Sequence, residues 1–209
     1  MSDWKSLISS EASAGISFSS VLIGIGTAIV GAAITSPPPI AIEIVLLSGT
    51  LILITGFYSA ICYANTHGIL RSVHATEERA VKPIIWGNAL SEYFGVYLLN
   101  YTIPFLVLSY TNNALATRMT LTVIGISFLV YHLSNFDMLE RIIRKRWIRA
   151  FMLFLSLSLV LTSLELVKEQ QSIYALASFI TLIFISVVLC ILHIHSAEKT
   201  LNVEEIKLD

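Results

Sequence analysis

Few residues in this 209-residue sequence have types and spacings that chemistry needs. Glu43 is the one acid inside an apolar run, and a carboxylate held in lipid is costly. It reads either as an ion ligand or proton carrier on a polar pathway, or as a boundary acid reaching the headgroups. Asn100 is followed four residues later by Pro104, which leaves the Asn100 carbonyl without its helical donor. An amide at such a kink reads as a gate, or as a plain interhelical hydrogen bond. His132, His193 and His195 would need facing partners to hold haem or metal. Residues two apart diverge on a helix, and no acids stand by to orient the rings, so no cofactor or metal is expected. Ser127 and His193 fall at different depths, which argues against a serine–histidine pair. Gly24 to Gly26 lacks the preceding strand of a dinucleotide loop, and Thr55 to Ser59 (TGFYS) departs from the TVGYG filter of potassium channels. No catalytic residue is expected.

These residues sit in a chain built for lipid. Its hydrophobic fraction is 56%, its charged fraction 13%, and its mean hydropathy +0.79. Apolar windows of about 20 residues, the length that crosses a bilayer core, are separated by the charges. The predicted fold is an all-α, polytopic membrane protein forming a single membrane domain over 1–209. About six transmembrane helices are expected, with four as the lower bound: 16–35, 40–63, 91–110, 119–138, 150–164 and 173–193. No part outside them exceeds about thirty residues, too few for an independent core, which argues against ATP hydrolysis or a soluble sensor domain. No cleavable leader is expected, because Asp3, Lys5 and Glu11 precede an apolar run too long for one.

Orientation follows from the basic residues. Five of the thirteen Lys and Arg lie between Asn135 and Arg149. Lys and Arg in short loops mark the cytoplasmic side. This puts loops 64–90 and 139–149 and both termini in the cytoplasm, with eleven basic residues inside and only Arg118 and Lys168 outside. Cys62 and Cys190 then fall near inner ends, as reduced thiols. A short helix is predicted around 68–81, stopped by Pro83, with Asn88 capping the next one.

Small residues mark helix packing. Ser17, Gly24 and Gly31 recur at spacing seven in the first span, as do Gly49 and Gly56 in the second. Where no water drives burial, small side chains let backbones approach. The first span is therefore expected to be buried among others through that face. In the basic loop, Arg141, Arg144, Lys145, Arg146, Trp147 and Arg149 exceed what orientation requires, and read as a docking surface for lipid or a protein partner.

In size and layout over the whole chain, the sequence resembles small multi-pass membrane components of bacterial anti-phage systems of the Kiwa type. That resemblance implies an inner-membrane oligomer that senses infection with a cytoplasmic DNA-binding partner protein. Two functions stand side by side. One is a non-enzymatic subunit that oligomerises and docks a cytoplasmic partner, itself binding no nucleic acid. The other is a small channel or transporter with a path near Glu43 and Asn100. A lipid-modifying enzyme has the least support.

Overall fold

The computed structural model describes residues 4–38, 40–133 and 146–206. It is helical, with no strand among the described residues, as an all-α polytopic membrane protein must be: in lipid each backbone amide needs a partner within its own segment. The helices are α1 (Trp4–Thr35), α2 (Ile42–Leu70), α3 (Glu77–Leu90), α4 (Leu98–Thr111), α5 (Ala114–Leu133), α6 (Arg146–Lys168) and α7 (Ser172–Ile206). A π-helical segment, Ser91–Tyr97, joins α3 to α4 without a break. Five helical stretches are long and apolar enough to span a bilayer: Trp4–Thr35, Ile42–Leu70, Glu77–Thr111, Phe151–Lys168 and Ser172–Lys199. The apolar part of α5, Ala114–Val130, is shorter.

The helices run up and down. At one end the Arg118 guanidinium reaches Glu165 at 3.3 Å, and Lys168 joins the same carboxylate at 3.1 Å. At the other end, here called the basic end, the Asn88 amide donates to Glu11 and the Trp86 indole to Glu198. The turns are short. Asn112 takes a left-handed conformation after α4, and Asn113 caps α5 by accepting the Ala116 amide at 3.0 Å. This two-residue turn is shorter than the gap expected between the spans 91–110 and 119–138.

α1 and α2 form the closest pair. The buried positions of α1 are Ile8, Ala12, Ser19, Leu22, Gly26, Ile29 and Ala33, alternating in steps of three and four once Gly15 is counted. That is the heptad seam of a left-handed helix pair. Gly26 lies against backbone: a methyl there would sit 2.6 Å from the Leu53 nitrogen. Gly49 and Gly56 pack as expected, each leaving room for an isoleucine of α1, Ile29 and Ile23. Gly24 and Gly31 do not: a methyl on either meets nothing within 4 Å. Ser17 and Gly24 are exposed. The seam runs through the other small-residue series at spacing seven, Ala12, Ser19, Gly26 and Ala33, so the expected face points away from the chain's own helices.

The segment expected as a cytoplasmic loop over 64–90 is mostly helix. α2 continues to Leu70, a short turn follows, and Thr76 caps α3 by accepting the Arg79 amide at 3.4 Å. Pro83 does not stop this helix but lies inside it. The carbonyl it orphans is that of Arg79, an exposed residue in the first turn that water can reach. Likewise residues 146–149, expected in the second loop, already belong to α6. Residues 134–145, with Arg141, Arg144 and Lys145, lie outside the described residues.

Candidate functional site in the polar layer at the basic end

Three helices meet around Tyr63. Its ring lies between Gly15 of α1 and Gly87 of α3, and an added methyl at either glycine would collide with it. Glycine at both positions lets a buried tyrosine cross the interface. Its hydroxyl donates to Asn88 Oδ1 at 2.6 Å, and Asn88 Nδ2 donates to Glu11 Oε1 at 3.1 Å. Tyrosine as donor and carboxylate as acceptor fix which way the amide points. Asn88, expected as an N-cap, is instead the middle link between α2 and α1. Thr66 Oγ1 adds a bond across α2 and α3 to the Ala80 carbonyl at 3.3 Å.

One turn on from Asn88 lies Glu92, in the π-helical segment and only 7% exposed. A groove of about 320 Å³ runs between these elements, with Glu11, Tyr63, Asn88, Ser91 and Glu92 on its polar wall and Phe18 and Val96 among its apolar lining. π-helical turns are rare and recur at functional sites. Glu92 is the residue that sequence reasoning missed. The usable signal was the spacing of four between Asn88 and Glu92, which puts two polar groups on one helix face. Chemically, the groove offers two carboxylates, an amide and hydroxyls. Such a set holds a cation or an ammonium, or passes a proton. Among the described residues no group of three His, Cys, Asp or Glu is placed to hold a metal ion.

A second polar layer lies where the π-helical segment and α4 meet α6 and α7. Arg149 is 1% exposed, the largest fully buried side chain described, and His193 is equally buried. The His193 ring meets Tyr93 edge-on at 6.0 Å, and Tyr93, Tyr97 and Tyr101 follow one another at 5.8 and 6.4 Å. The tyrosines, Ser156 and Ser186 line a cavity of about 30 Å³, room for roughly one water.

The expected site residues fare unequally. Arg149, expected on a docking surface, is buried in the bundle: its position on α6 turns it inward, so its guanidinium is not presented to a partner. Arg146 and Trp147 open α6, and their side chains lie outside the described set. Glu43 is exposed in the first turn of α2, beside Gln170 and Ser172 at the end opposite the basic one. Asn100 bonds its own helix, donating to the Val96 carbonyl at 2.8 Å. Among the described residues, Glu43 lines a cavity with Gln170 and Ser172, and Asn100 is not part of it. His195 is exposed while His193 is buried, as spacing by two requires. Ser127 is exposed on α5, whereas His193 is buried; the side chain of His132 lies outside the described residues.

No protein-family model matches the chain, and searches of curated proteins and of solved structures return no match either.

Proposed function

We propose that this membrane protein is a non-enzymatic subunit that pairs with a second copy of itself through α1 and presents the basic segment around Arg141, Arg144, Lys145 and Arg146 to a cytoplasmic protein. The observation that carries the reading is the unused face of α1. Ser17, Ser20, Gly24, Thr27 and Ala28 are exposed along it, and Gly31 continues the row. α1 packs on α2 and α3 alone among the larger helix contacts, so this face lies at the margin of the bundle. A row of glycine and hydroxyl residues along a helix lets an identical row approach closely, and a two-fold axis pairs it with itself. The channel reading finds less support, since Glu43 is exposed at one end and Asn100 bonds its own helix. The Kiwa-type resemblance would make the partner a DNA-binding protein and the stimulus an infection at the inner membrane.

The test uses the open space at Gly24 and Gly31, where an added methyl meets nothing within 4 Å among the described residues. Gly24→Leu with Gly31→Leu is expected to leave the fold intact and convert a detergent-solubilised dimer to a monomer, read by light scattering after size exclusion. A wild-type monomer, or a variant of unchanged mass, refutes the pairing. For the partner, charge reversal at Arg144, Lys145 and Arg146 is expected to release a co-purifying soluble protein.

A further inference from the structure

The basic end holds a second groove, distinct from the Tyr63 layer and from the α1 face above. It lies between the first turns of α1 and the last turn of α2. Lys5, Ser6 and Ser9 line one side, His67, Leu70 and Arg71 the other, around a space of about 340 Å³. The spacing explains the convergence: 5, 6 and 9 fall on one helix face, as do 67, 70 and 71. Ser13 donates its proton to the Ser9 carbonyl at 2.8 Å, and its oxygen lies 3.4 Å from His67 Nε2, which fixes the imidazole at the groove wall. Arg71 is exposed and makes no ion pair among the described residues. Glu78 pairs with Lys82, and Glu11 accepts from Asn88.

The surroundings are those of a membrane interface. Trp4 carries the Lys5 ammonium 5.6 Å from its ring centroid and packs on the cluster of Ile8, Ala12 and Tyr63. Tryptophan and snorkelling lysine together mark headgroup level. Leu70 forms an apolar part of the wall. Cations, hydroxyls and an adjoining apolar surface match one kind of ligand.

We propose that this groove binds the phosphate headgroup of an anionic phospholipid, with Lys5 and Arg71 supplying charge, Ser6 and Ser9 hydrogen bonds, and Leu70 an apolar surface for the acyl chains. Free phosphate shares the headgroup chemistry but gains nothing from Leu70 or from Trp4.

The experiment uses the full chain with Trp86→Phe and Trp147→Phe, so that Trp4 is the sole fluorophore. It is reconstituted in phosphatidylcholine vesicles containing a small fraction of brominated phosphatidylglycerol or, in parallel, brominated phosphatidylcholine. Each basic residue at a membrane surface is worth about five-fold in binding an anionic lipid. The phosphatidylglycerol preference read from Trp4 quenching is therefore expected to reach about 25-fold, to fall about five-fold in Lys5→Gln or Arg71→Gln, and to vanish in the double variant. Lys5→Arg keeps the charge and is expected to keep the preference, which separates binding from folding. Equal quenching by the two lipids, or a preference unchanged in the double variant, overturns the proposal. So does its loss to inorganic phosphate at constant ionic strength, which assigns the groove to the free anion.

Discussion

Alanine at Gly26 and alanine at Gly24 differ by two positions in one apolar helix, and the structure sets them far apart in stability. At Gly26 the new methyl lies 2.6 Å from the Leu53 nitrogen and 2.8 Å from its Cα. Ordinary contact begins near 3.4 Å, so α1 and α2 must part locally by about 0.8 Å. A gap of that size forfeits roughly a quarter to a half of each dispersion contact it opens. Rotamer changes cannot relieve it, because the obstruction is backbone. Overpacking of this kind costs about 1–3 kcal/mol, and the upper half of that range is expected for Gly26→Ala. Gly24→Ala meets nothing and gains helix propensity, so it is expected to be neutral or stabilising by up to about 1 kcal/mol. The assay is unfolding in mixed micelles of rising sodium dodecyl sulfate fraction, followed by fluorescence of the three tryptophans. Equal stability of the two variants, or a larger loss at Gly24, refutes the assignment of the α1–α2 seam.

Asn88→Leu removes the link between Tyr63 and Glu11, and is expected to cost about 1–3 kcal/mol in the same assay, more than Glu11→Gln, which keeps an acceptor. Arg149→Ala is expected to cost about 2 kcal/mol or more, since it empties the site of the largest fully buried side chain described. Glu43→Gln is expected to change stability by less than about 0.5 kcal/mol, because Glu43 is exposed. Any ion flux through reconstituted protein is also expected to survive Glu43→Gln; its loss would restore the channel reading.

Charge segregation and apolar length made the helical membrane architecture legible in the sequence. Facing was harder to read. A helix apolar on all sides has no moment to tell which side turns inward. In α1 two rows of small residues repeat at spacing seven, one through Gly24 and one through Gly26, and only packing against Leu53 decides between them. Arg149 was misread for a related reason. It ends a run of exposed-looking basic residues, yet it sits a turn inside α6 with its side chain toward the bundle. The site at Tyr63 draws on Glu11, Asn88 and Glu92, spread over some eighty positions. Asn88 and Glu92 hid because Pro83 suggested a chain leaving the helix, when it lies inside α3.

The wide turn at Ser91–Tyr97 amounts to an extra residue wound into an otherwise regular rod. An α-helix advances about 100° per residue. Excising one residue and restoring the narrower winding would cancel most of that angle, so Asn88 would keep facing Tyr63. Forcing ordinary winding on the full-length turn would instead rotate everything before it by about that angle relative to α4, and Asn88 would leave Tyr63. The wide winding thus absorbs the extra residue and keeps the polar layer aimed.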